Sequence, residues 1–174
     1  MERKIKEIQR VNMEQITNYF NAEKSESILF ILVGSIAIGI ALYFLFKLKE
    51  PFYNGMAYPL IAVALIQIVV GTSIFFRSPK DIERVSLIIQ TEKSRIQTEE
   101  IPRMEVVMKN FEMYRWVEIS LLILGIVFIL FFHQQSIWKG VGLGLSIQAG
   151  FMLLLDFFAE SRGSEYLDFL RTML

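Results

Sequence analysis

Four stretches of this chain are nearly free of charge and long enough to cross a bilayer, and no other sequence feature restricts the fold as strongly. They lie at about 28–46, 59–76, 117–132 and 140–158. A membrane helix needs about 20 predominantly apolar residues. Apolar residues make up 53% of the 174, which is high for a soluble domain, and they are concentrated in these runs. What remains is too short for a separate soluble domain of ordinary size. The chain therefore reads as an all-α integral membrane protein, a single four-span domain over residues 1–174.

The segments between the spans carry helical patterns of their own. From Glu2 to about Ala22, Ile5, Ile8, Ile16, Tyr19 and Phe20 recur at helical spacing among balanced charges, which predicts an amphipathic helix packed on other cytosolic helices. Ser27 stands where it can cap the first span, and Lys47 and Lys49 end that span. Residues 47–58 are rich in Pro, Gly and aromatic rings and suit an interfacial turn. Pro59 then falls in the first turn of the second span, where its missing N–H costs nothing.

After Arg77, Ser78 and Pro79 read as an N-cap followed by proline at the first helical position. Asp81 and Glu83 then favour the new helix N-terminus. Ile82, Val85, Ile89 and Ile96 form its apolar stripe. The pattern fades over 97–100, and Pro102 opens a second helix with Met104, Val107, Met108, Phe111 and Arg115 along one face. The expectation is a cytosolic helical hairpin over about 79–116, turned just before Pro102. Beyond the fourth span, Tyr166, Leu167 and Leu170 predict a short amphipathic C-terminal helix.

Of the 18 Lys and Arg residues, 15 lie in the N-terminal segment, the hairpin and the C-terminal segment, and Lys47, Lys49 and Lys139 lie in the other connections. The positive-inside rule puts both termini and the hairpin in the cytoplasm of a multi-pass cell-membrane protein, most simply a bacterial inner membrane. Residues near Met1 are polar, so a cleaved secretory signal is not expected. The two halves are loosely alike: Tyr53-Asn54-Gly55 and Trp138-Lys139-Gly140 occupy matching places. An old duplication would leave this pattern, although membrane hairpins resemble one another anyway.

Several chemistries are excluded or unsupported. Formal net charge is +0, which argues against a nucleic-acid partner bound by phosphate neutralisation. Cysteine is absent, which removes disulfides, thiolate metal sites and thiol redox chemistry. No metal pair, nucleophile elbow, phosphate loop or zinc-protease motif occurs, so no enzyme activity, catalytic residue, metal or cofactor is expected. Small multidrug exporters with four spans carry an acid mid-way along the first span, and this chain has none there.

Two groups of residues remain as candidates. The acids Glu118 and Asp156 each lie about 15 to 17 residues from the turn between the last two spans, hence at similar depth. Intramembrane acids often mark ion or proton paths. Together with Gln67 and Gln148 they could line a path between protomers; alternatively the acids form interface ion pairs with Arg77 or Arg115. The small-residue sets Gly142/Ser146/Gly150 and Ser35/Gly39 allow close helix approach and are read as packing faces, the first as an oligomer interface. The stripe of Ile82, Val85, Ile89, Met104, Met108 and Phe111 is the expected docking surface for a cytosolic or membrane protein partner.

The leading expectation is thus a non-enzymatic inner-membrane interaction or scaffold protein that homo-oligomerises in the bilayer and presents its hairpin to a partner. The alternatives are an oligomeric ion channel or membrane-perturbing effector, and an immunity or inhibitor protein for a membrane toxin.

Overall fold

A computed structural model describes the backbone of residues 2–92 and 94–173. The side chains of residues 2–6, 8 and 9 lie outside the description, and with them the expected roles of Ile5 and Ile8. The described residues form four long helices and no strand: α1 (Glu2–Tyr43), α2 (Pro51–Thr91), α3 (Ile101–Phe131) and α4 (Ile137–Thr172). A π-helical turn, Phe44–Leu48, closes α1, and another, Ile96–Glu100, opens α3. All four helices are long and apolar enough to cross a membrane. At about 1.5 Å per residue α2 is about 60 Å long, twice the about 30 Å of a bilayer hydrocarbon core. Each helix therefore has an apolar half and a polar half, and the polar halves come together at the end where both termini lie.

The helices do not break where the local signals suggested. Ser27 lies inside α1, buried, and its hydroxyl donates to Lys24 O at 2.6 Å instead of capping a span. The turn predicted over 47–58 contracts to Lys49 and Glu50. Lys49 closes α1 in the left-handed region (φ 55, ψ 15), its N–H donating to Phe44 O. Glu50 is extended, as a residue before proline must be, and Pro51 takes the first helical turn. Pro59 and Pro79 both lie within α2. Ser78 is no N-cap: its hydroxyl donates back to Ile74 O at 2.8 Å. Packing on α1 above and below this point outweighs the single hydrogen bond that Pro79 removes. The next turn falls at Glu92, before Ser94, rather than ahead of Pro102. The Ile101 N–H reaches Ile96 O, five residues back, and this wider turn carries the helix past Pro102. At the remaining connection Ser136 caps α4, accepting from the Lys139 N–H at 3.2 Å.

Helix α1 packs on α2, α3 packs on α4, and α2 against α4 joins the two hairpins, with α1 also touching α4. Glycines set the central crossing. A methyl group on Gly55 would strike the Ile137 carbonyl and the Val141 nitrogen; one on Gly140 would strike the Phe52 carbonyl and the Met56 nitrogen. The two sets of contacts interchange on adding or subtracting 85, the separation that also relates Gln67 to its hydrogen-bond partner Met152. Such reciprocity is what a two-fold relation between the hairpins produces. The matched Tyr53–Gly55 and Trp138–Gly140 segments meet at this axis.

Small residues also line the seam within each hairpin. Ala37 and Ala41 pack with Ala57, Leu60 and Ala64. Gly125 lies against Gly142 O and Ser146, and Gly142 against Gly125 O. Gly142 and Ser146, expected at an interface between protomers, are therefore occupied by α3 of the same chain. A methyl group on Gly39 or Gly150 would meet nothing within 4 Å, and Ser35 is exposed.

The polar half has a core of its own to which all four helices contribute. Ile16, Phe20, Val85, Ile88, Ile89, Ile96, Ile101, Met104, Tyr166, Leu167 and Leu170 form one buried cluster. This corrects the reading of the hairpin stripe as a docking surface. Val85, Ile89 and Met104 are buried, Ile82 and Met108 pack against the cluster, and Phe111 is half-buried beside Gly163. Apolar area of this kind, about 1.5–3 kcal/mol for each large side chain buried, is filled by the chain's own N- and C-terminal segments.

Candidate functional site

Two polar groupings are built into this frame. The larger sits where the polar halves converge and centres on Glu100, which has no exposed surface. Its Oε1 accepts from Arg103 Nη2 at 2.7 Å and from the Tyr166 hydroxyl at 3.2 Å. Its Oε2 accepts from Arg84 Nη2 at 2.6 Å and Arg103 Nε at 3.0 Å. Arg84 continues to Asp81 at 3.3 Å, Asp81 to Arg77 at 3.1 Å, and Arg77 to Glu23 at 3.0 Å. Three acids and three arginines thus alternate across α1, α2 and the start of α3.

Burial shifts the titration of Tyr19, Tyr166 and Glu23, while the contacts of Arg103 with Glu100 decide its own. Desolvation pushes the Tyr19 and Tyr166 phenols well above the ordinary tyrosine value, with Glu23 and Glu100 respectively adding to it. Both phenols are therefore neutral donors. Burial also raises the Glu23 carboxyl, partly offset by Arg77 and Arg103. For Arg103, burial disfavours the charge, but the hydrogen bonds and charge of Glu100 outweigh it and raise its pKa. Tyr19 and Tyr166 stack with ring centroids 4.0 Å apart and wall a groove of about 410 Å³ between α1 and α4, with Arg162 and Phe169 beside them.

Of this network the sequence points to Arg77 as an ion-pair partner, and to Asp81 and Tyr166 only as a helix-start acid and a stripe residue. The spacing of Arg77, Asp81 and Arg84, and of Glu100 and Arg103, does signal pairing along one helix. Nothing local indicates that Glu23 and Glu100 meet these arginines across helices.

The second grouping is Glu118 with Asp156, in the seam between α3 and α4. Glu118 is 5% exposed, and its Oε2 has no hydrogen-bond partner among the described residues. The Asp156 carboxyl lies within hydrogen-bonding reach of it. The arginines expected to neutralise these acids are engaged elsewhere. Arg115 binds both oxygens of Glu160 at 3.1 and 2.9 Å, and Arg77 binds Glu23 and Asp81. The equal depth inferred from the turn brings the acids together, but not with a base.

Gln67 and Gln148 lie in a different seam. Gln67 Nε2 is 3.0 Å from Met152 Sδ and its Oε1 is unpartnered among the described residues, while Gln148 Nε2 donates to Leu60 O at 3.3 Å. Both amides sit buried between α2 and α4. The four residues expected to line one path between protomers thus occupy two seams inside one protomer. Among the described residues no three His, Cys, Asp or Glu side chains are placed to hold a metal ion. Comparison with protein-family models, with curated proteins and with solved structures finds no match to this chain.

Proposed function

We propose that this is a non-enzymatic scaffold protein of the bacterial inner membrane, its apolar half in the bilayer and its polar half, with both termini, in the cytoplasm. The observation that carries the reading is the continuity of the four helices from one half into the other. A four-helix rod with its own core and an internal charge network transmits position from the membrane into the cytosol. The basic residues, 15 of 18 at the polar end, support the orientation.

With the inward stripe occupied, the docking surface is the outside of the rod, where Leu87, Val106 and Met113 are exposed among charged neighbours. Homo-oligomerisation draws on the outward face of α1, where Ser35 and Gly39 stay open to a neighbouring helix. The test is the particle mass in lipid nanodiscs, followed by partner capture with the wild type and with the surface variants Leu87→Glu and Val106→Glu. Deleting the hairpin would remove the core and decide nothing. A strict monomer whose captured proteins do not depend on this surface defeats the reading.

A further inference from the structure

We propose that Glu118 and Asp156 form a proton-binding site, one proton held between their carboxyl oxygens in the α3–α4 seam. An ionised carboxylate is acceptor-only, so two carboxyl groups within hydrogen-bonding reach require a hydrogen on one of them. Glu118 is nine-tenths buried or more, at 5% exposure, and its Oε2 has no hydrogen-bond partner among the described residues. The charged groups around the pair supply no neutralising base. On α4, Glu160 adds a further negative charge near Asp156, and on α3, Arg115 is bound to that same Glu160. Arg77, the other arginine expected to pair with these acids, is held by Glu23 and Asp81.

The internal two-fold relation supplies an independent argument. The counterpart of Asp156 in the first hairpin, 85 residues earlier, is Gly71. There α1 and α2 come so close that a methyl group on Gly71 would lie 2.7 Å from Ser27 O. The seam therefore packs without acids in one hairpin and holds two in the other. Glu118 is buried and Asp156 half-buried; an unpaired carboxylate in such a place costs several kcal/mol, so packing alone gives no reason for the two acids, and a bound proton removes most of that cost. A divalent cation fits less well: calcium takes about 6–8 oxygen ligands, and no third acidic or histidine side chain completes a metal site among the described residues.

The test is infrared difference spectroscopy of the full-length protein in lipid nanodiscs, titrated from neutral to alkaline pH. The carboxylic-acid C=O band is expected in the wild type at neutral pH, to vanish on alkalinisation, and to be lost in both Glu118→Gln and Asp156→Asn, because an amide then donates to the remaining carboxylate. The exchanged double variant Glu118→Asp with Asp156→Glu keeps two carboxyl groups and is expected to keep the band, which guards against loss through misfolding, together with circular dichroism of every variant. Absence of the band in the folded wild type overturns the proposal. So does its persistence in either single variant, which marks one buried acid protonated by itself. Loss of the wild-type band on adding Na⁺ or Ca²⁺ at constant pH also overturns it, in favour of a metal-ion site.

Discussion

Glu100 has no exposed surface, and both of its oxygens are bonded by Arg84, Arg103 and Tyr166. Removing one member of such a buried arrangement leaves the others uncompensated, at a cost of about 3–5 kcal/mol where burial is complete. The two arginines are partly exposed, so Glu100→Ala is expected to cost about 3 kcal/mol, read as a lowered unfolding temperature in detergent, whereas Arg95→Ala, on an exposed pair, is expected to leave the unfolding temperature nearly unchanged. Glu23 makes a pH-dependent contribution whose sign follows from its raised carboxyl. An acid that binds its proton more tightly when folded adds stability below its ordinary value of 4.5, and this is lost as pH rises through the folded value. The unfolding temperature of Glu23→Gln should therefore gain on that of the wild type as pH is raised above 4.5. A constant difference across that window would show that Arg77 fully compensates the burial.

At the scale of elements, continuity is the property to probe. If a new helix began at Ser78 and Pro79, Pro79→Ala would matter little and Ser78→Ala would cost about 1 kcal/mol as a lost cap. In an unbroken α2, Pro79→Ala restores a backbone N–H and removes a ring clash inside a helix. It is expected to stabilise by up to about 3 kcal/mol, visible as a raised unfolding temperature and reduced amide exchange around Phe75. The departures at Ser27, Ser78 and Pro102 share one cause. Capping residues and prolines report local preference, worth about 1–3 kcal/mol each, whereas packing along a whole helix face is worth more. The amphipathic periods at Ile16–Phe20, Ile82–Ile89 and Met104–Phe111 were legible as helices. That these helices continue the spans, and cover one another's stripes, was not.

At the scale of the molecule, the α2–α4 crossing joins the hairpins through Gly55 and Gly140, each in contact with a backbone carbonyl of the other helix. Gly55→Ala or Gly140→Ala is expected to cost about 3 kcal/mol by overpacking and to loosen the hairpins relative to each other, measurable as increased distance between spin labels on Tyr58 and Leu143. Gly39→Ala and Gly150→Ala meet open space and should be neutral or stabilising by up to about 1 kcal/mol. A large cost at Gly39 in the membrane, absent in detergent, would reveal a neighbouring helix there, as the proposed homo-oligomer requires.

The sequence by itself determined what depends on composition and period: four apolar runs, helices as the means of burying them, and the concentration of Lys and Arg at one end. Those properties are sums over many residues and survive any local exception. It also placed Glu118 and Asp156 at one depth, because depth along antiparallel helices is a matter of counting from the turn. The tertiary structure decided which face met which. It put Gly142 and Ser146 against α3 and left Ser35 and Gly39 outward. It closed the hairpin stripe over the chain's own core, gave Arg115 to Glu160, and left the two acids to each other. Similar small-residue spacings and similar charges fit several partners equally well, and the choice among them belongs to the packing of the whole bundle, which no single segment encodes.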